Sequence, residues 1–175
     1  MWSSDPLIEI AGAWLPNKGA ELMAHATISA LSRRIPGVRF CSAKQGNDQV
    51  RAAIGMPVLR PPKSVKWLKK RRERFPAELQ RTILRLERRA ATHVIDVSGF
   101  AYGDYWGAIK AQSRAGMYVW LGKPIYLVPQ SFGPFTDEVL RREMRGILND
   151  ARVIAARDRL SLEYLETLEC NRDIA

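Results

Sequence analysis

The chain is poor in the residue types from which most metal and redox sites are built. Only two cysteines, Cys41 and Cys170, occur in 175 residues. They are too few for a disulfide scaffold and show no CxxC spacing, so a reducing compartment is the expectation. The two histidines, His25 and His93, lie far apart in sequence, which excludes a Cys/His zinc cluster and implies no metal. No apolar run approaches the roughly 18 residues that a membrane-spanning helix needs. Residues 1–6 contain Asp5 and no basic stretch, which does not fit a signal peptide. Neither a P-loop nor a GxGxxG pattern occurs, which disfavours a P-loop nucleotide or dinucleotide site. A cytoplasmic protein, at most resting on a membrane surface, is expected.

Acidic residues are also scarce, 18 against 28 Lys and Arg, for a formal net charge of +10. The imbalance is local. Between Arg60 and Arg89 stand twelve basic and three acidic residues, so this stretch holds nine of the ten net charges. The remainder, at 46% hydrophobic and 26% charged for the whole chain, has the composition of an ordinary globular domain. The length predicts about one domain, large enough to bury a core without staples.

Short apolar runs alternate with helical periodicity. Residues 7–12 read as a buried first strand ending in Gly12. Leu22, Met23, Ala26, Ala30 and Leu31 recur at helical spacing after Asn17, a ready cap. Pro36-Gly37 stops that helix, and 38–41 form the second strand. Residues 45–62, rich in Gly and Pro, predict short helix, short strand and turn. The basic segment follows, with Leu79, Ile83, Leu84 and Leu86 at helical spacing. Further strands are predicted at 94–99, 125–129 and 153–156, and helices at 106–121, 136–150 and from Asp158 onward. Strands that are apolar throughout, separated by helices, imply a doubly wound, mostly parallel α/β sheet covered on both faces.

In such sheets ligands gather outside the carboxyl ends of the strands. Four loops there are unusual. They are Trp14-Leu15-Pro16-Asn17-Lys18-Gly19-Ala20-Glu21, then Asp96-Val97-Ser98-Gly99-Phe100 with Tyr102-Gly103-Asp104. Pro129-Gln130-Ser131-Phe132-Gly133-Pro134-Phe135 and Ala156-Arg157-Asp158 with Ser161 complete the set. In this order, each after a predicted strand, the loops resemble those of the polysaccharide pyruvyltransferase family over about residues 7–168.

The resemblance implies transfer of pyruvate from phosphoenolpyruvate to a saccharide diol as a cyclic ketal, with release of phosphate. It implies no cofactor beyond this donor. It further implies a GT-B-type architecture, with the active site between two Rossmann-like halves. Residues 1–175 would then be the N-terminal half. The catalytic histidine belongs to the second half and matches no position here, so the chain is expected to be a fragment or a truncated product.

Each candidate residue also has a structural reading. Arg157-Asp158-x-x-Ser161 would place a guanidinium beside a helix N-terminus, suited to an anion that carries both phosphate and carboxylate; alternatively Asp158 only caps the helix and Arg157 pairs with an acid. Gln130 and Ser131 would offer hydrogen bonds to ligand, with Gly133 permitting close backbone approach; alternatively they form a tight turn before a helix. Ser98 and Gly99 would line the same cleft and Asp104 would meet a sugar hydroxyl; alternatively Asp104 caps the following helix. Asn17 and the backbone around Gly19 would face the cleft, with Glu21 contacting the acceptor sugar; alternatively Asn17 caps the helix and Glu21 supports it electrostatically, and the two roles are compatible. His25 reads as structural, and His93 has no evident partner.

The basic stretch at 63–74, with Trp67 and Phe75, would suit nucleic-acid phosphates, an anionic membrane surface or an anionic lipid-linked sugar, of which the membrane contact is the favoured functional reading; a solvated basic helix is the alternative. No nucleic-acid motif accompanies it. Two rival readings of the whole chain remain open: one half of a nucleotide-sugar glycosyltransferase, or a non-catalytic basic α/β module that binds a membrane surface or nucleic acid.

Overall fold

A computed structural model of the chain describes residues 6–13, 17–42, 52, 55–58, 72–88, 90–171 and 174. Residues 60–71, most of the basic stretch, lie outside that set, as do Trp14 to Pro16 of the first loop. Its described continuation is a 3-10 turn at Arg72–Arg74 and a helix, α2, at Ala77–Arg88.

The first strand, β1 (Leu7–Ala11), leads to helix α1 (Lys18–Arg34) and strand β2 (Arg39–Cys41). Asn17 caps α1, its side-chain oxygen accepting from the amides of Gly19 at 2.9 Å and Ala20 at 3.4 Å. After α2 come β3 (His93–Asp96), a short β4 (Phe100–Tyr102) and β5 (Ile125–Phe132). Helix α5 (Glu138–Asp150), β6 (Val153–Ala156) and α6 (Arg159–Glu166) complete the chain of elements. Between β4 and β5 lie α3 (Gly107–Ala111), a π-helical turn (Gln112–Gly116) and α4 (Met117–Trp120).

All the paired strands are parallel. They run β2-β1-β3-β5, with β6 on the far edge of β5 and β4 against its upper end. The fold is α/β and Rossmann-like. The sheet separates two apolar clusters, because successive side chains of a strand point to opposite faces. Val94, Leu127 and Ile154 pack with Tyr118, Leu140 and Met144 of the later helices. Ile8, Ile10 and Ile95 pack with Ala24 and, at its margin, Met23 and Leu31 of α1.

Three predicted elements differ from those observed. The strand expected at 94–99 ends at Asp96, because its carboxylate accepts from the Ser98 amide at 2.8 Å and turns the chain. Four residues after Asp96, at Phe100, β4 begins where only loop was expected. The strand expected to stop at Pro129 runs on to Phe132. Pro129 falls between the β3 pairing, which runs up to Leu127, and the β4 pairing, which starts at Ser131, and the β5–β6 ladder shifts register across it, between Leu127 and Gln130; its missing N–H falls in that irregularity. The helix expected at 106–121 is broken by the π turn, which re-aims Arg114.

Candidate functional site

Strand ends β3, β5 and β6 bring four of the sequence candidates together. Arg157, at the end of β6, donates through Nη2 to the Ser131 hydroxyl and through Nη1 to the Gly99 carbonyl at 3.5 Å. Its Nε stands 3.7 Å from Asp158 Oδ2. Ser131 in turn donates to that carboxylate oxygen at 3.3 Å. With its side chain 54% exposed, Arg157 keeps access to solvent.

Asp158 is both a cap and a member of this cluster. Its Oδ1 accepts from the Ser161 amide at 2.8 Å. Hydrogen bonds from the Ser161 side chain and amide hold its carboxyl below the usual value; burial opposes this slightly, and Ser131 and Arg157 add to it. At neutral pH Asp158 therefore stands ionised beside the Arg157 guanidinium.

A second, buried network adjoins the first through Ser98-Gly99. Asp96 accepts from the Ser98 amide at 2.8 Å, from the Ser98 hydroxyl, and from the Tyr102 hydroxyl at 2.5 Å. Arg114, carried by the π turn, donates to Ser98 Oγ at 2.7 Å. Burial, the charge of Asp96 and their hydrogen bond push the Tyr102 phenol well above its ordinary range, with Arg114 opposing. Beneath it, Tyr118 donates to the buried Glu9 at 2.8 Å. The sequence reading did not single out Tyr102 or Arg114 for this role. A buried acid at the end of an apolar strand, followed by aromatics, was the available signal.

The other candidates occupy different places. Gln130 is buried, and its Nε2 donates to the Asp96 carbonyl at 3.2 Å. Strand alternation turns it inward and Ser131 outward, so only Ser131 joins the Arg157 cluster. Ser161 is buried and its hydroxyl accepts from the Phe132 amide at 3.0 Å, tying α6 to β5. Gly133 has φ +79°, and a Cβ there would stand 2.5 Å from Tyr164 Cγ. Tyr164 holds that approach, and α5 begins only after Asp137. Asp104 does not cap the helix after it. Its carboxylate accepts from the Thr136 amide at 3.0 Å and hydroxyl at 2.6 Å, and from Asp137 at 3.4 Å. Burial raises its pKa, but these bonds outweigh burial and hold it below the usual value.

Asn17 and Glu21 sit at the start of α1, where Glu21 pairs with Lys18 at 2.9 Å. Two residues on, Met23 Sδ lies 3.2 Å from where a Gly99 Cβ would stand, so α1 borders the site. His25 is exposed on α1, and His93 Nδ1 lies 3.0 Å from Thr92 Oγ1.

A parallel sheet whose carboxyl-end loops gather an arginine, a hydroxyl and a capping carboxylate defines a Rossmann-like domain with a polar, cation-bearing strand-end site. A family model for polysaccharide pyruvyl transferase matches residues 17–174. The chain belongs to that family, a family of transferases. Neither a curated protein nor a solved structure matches it. No helix among the described residues is long and apolar enough to cross a membrane.

Proposed function

We propose that the strand-end site binds phosphoenolpyruvate and presents its C2 to two hydroxyls of a saccharide acceptor. The observation that carries this reading is the half-exposed Arg157 guanidinium set against Ser131, Gly99 and the N-terminus of α6, in a chain of this family. A planar guanidinium meets carboxylate or phosphate oxygens through two parallel N–H bonds. The amides at the start of α6 favour negative charge beside it.

The reaction then balances simply. A proton adds to the methylene carbon of the donor, two sugar oxygens bond to C2, and the phosphate leaves with the remaining hydroxyl proton. In this reading Arg157 orients the donor and stabilises the departing phosphate. A second Rossmann-like half, in a GT-B-type arrangement, supplies the group that moves the proton. The acceptor is lipid-linked, and the basic stretch at 63–74 meets the anionic surface that carries it.

Thermal unfolding with phosphoenolpyruvate tests the donor assignment. Ligand that binds only the folded state raises Tm as its concentration passes Kd. Phosphoenolpyruvate should raise Tm of the wild-type chain, and Arg157→Gln should abolish the rise. Protection by a sugar nucleotide instead would favour a glycosyltransferase. Sedimentation with anionic vesicles at low and high salt tests the surface contact separately.

A further inference from the structure

Beside the Arg157 cluster lies a group of aromatic side chains that the core does not bury. Phe100 is 44% exposed, Tyr105 79% and Trp106 38%. Their rings contact one another, with centroids 6.2 Å apart for Phe100–Tyr105 and Phe100–Trp106, and 4.9 Å for Tyr105–Trp106. Lys110 Nζ lies 5.5 Å from the Trp106 ring centre. Large aromatics gathered in one exposed patch mark a contact surface more often than scattered apolar residues do.

Its position is fixed by the sheet. Phe100 and Ser131 are Cα partners in the β4–β5 ladder, and paired residues on neighbouring strands lie about 5 Å apart with side chains on one face. The Phe100 ring therefore flanks the hydroxyl that receives Arg157. The loop carrying Tyr105 and Trp106 is held at both ends. Gly103 accepts at its carbonyl from the Trp106 and Gly107 amides at 3.0 Å each, and Asp104 is anchored to Thr136.

We infer that Phe100, Tyr105 and Trp106 form a stacking platform for a pyranose ring of the saccharide acceptor. The inference rests on the transferase reading of the adjoining site. A pyranose offers C–H bonds on its faces and hydroxyls around its rim. Aromatic faces pack against the former, while the phenol of Tyr105, the indole N–H and Lys110 stand near the latter. The rings are mutually inclined, at 31°, 62° and 88°, which makes a faceted surface instead of a parallel stack for nucleobases. An acceptor seated there reaches the donor site across a single strand spacing, which brings a pair of its hydroxyls to the donor.

The test uses the whole chain and the indole N–H resonance of Trp106, assigned by its loss in Trp106→Phe. Methyl β-D-glucopyranoside, galactopyranoside and mannopyranoside serve as probes at millimolar concentration. At least one should shift the Trp106 resonance saturably. Tyr105→Ala and Phe100→Ala should each weaken that binding about fivefold or more, as expected for removal of an aromatic contact. Tyr105→Ala should keep the phosphoenolpyruvate rise in Tm.

If no pyranoside moves the Trp106 resonance, or if both variants bind as wild type does, the platform is overturned. A self-association that Tyr105→Ala abolishes, without a sugar response, would overturn it in favour of an interface between copies. A sugar response without any phosphoenolpyruvate protection would leave the platform standing and remove the donor reading.

Discussion

A Cβ placed on Gly103 would stand 2.4 Å from the carbonyl oxygen of Gly133. The two glycines join β4 to the end of β5, where the Gly133 amide also donates to the Tyr102 carbonyl at 2.8 Å. The obstacle is backbone held in a ladder, so no side-chain rotation relieves it. Gly103→Ala should therefore destabilise the protein by about 1–3 kcal/mol, the range for overpacking a dense interior. It should also loosen the aromatic loop that follows. Thermal unfolding, with hydrogen exchange at residues 103–107, checks both. An unchanged Tm would mean that the two loops part easily.

The Tyr102 hydroxyl supplies one of the donors that satisfy the buried Asp96 carboxylate. Tyr102→Phe keeps the ring, and its stacking on Phe132 at 6.0 Å, while leaving that carboxylate oxygen without its donor. The cost should be about 1–3 kcal/mol, seen as a lower urea midpoint with unchanged m. Because the folded phenol has a raised pKa, the unfolded chain releases its proton first as pH climbs past 10.0. Wild-type stability conferred by this group is full below that pH and falls above it. The Phe variant should lose that part of the alkaline slope. A variant as stable as wild type would show that Asp96 is satisfied without Tyr102.

The α/β class was legible because the strands are apolar along their length, the mark of a sheet buried on both faces. Caps were equally legible: Asn17 and Asp158 stand where short side-chain oxygens precede helical periodicity. The inward turn of Gln130 was not. Pro129 reads locally as a strand end, and the gap between the β3 and β4 pairings, with the register shift against β6, lets the strand continue past it and set Gln130 and Ser131 on opposite faces. Arg114 was hidden for a different reason. A π turn adds a residue to a helical repeat, so a periodicity of 3.6 points the side chain elsewhere. Asp104 is anchored to Thr136, thirty-two residues away, and no local pattern encodes a contact of that range.

Acid should unfold the protein in part through Asp104 and Asp158. Both carboxyls are held below 3.8 in the folded state. Between the folded and the unfolded pKa the unfolded chain binds more protons, so stability rises with pH. The contribution is complete above about 4 and disappears as pH falls through the folded values. Asp158→Asn keeps a capping oxygen but has nothing to titrate. Tm measured from pH 2.5 to 6 should therefore fall less steeply for Asp158→Asn and Asp104→Asn than for wild type. Parallel curves would show that neither carboxyl is held by the bonds described.

Arg157→Lys separates a donor anchor from a structural ion pair. Lysine keeps the charge but replaces a planar fork with a point charge, so it cannot make two parallel bonds to one anion. Arg157 is half exposed, and its fixed partners are the Ser131 hydroxyl, the Gly99 carbonyl and Asp158. An exposed pair of this kind contributes about 0–1 kcal/mol to stability. The Lys variant should thus melt near the wild-type temperature without ligand. The phosphoenolpyruvate concentration needed for half of the maximal Tm rise should increase about tenfold or more, the loss expected when one charge-assisted hydrogen bond is removed. A structural Arg157 would give the opposite pattern: early melting without ligand and an unaltered response to phosphoenolpyruvate. Measuring both on one preparation removes differences in protein quality. If the variant melts early yet responds to the donor as wild type does, the anchor must be sought elsewhere along the strand ends, with Arg114 the next cation to test.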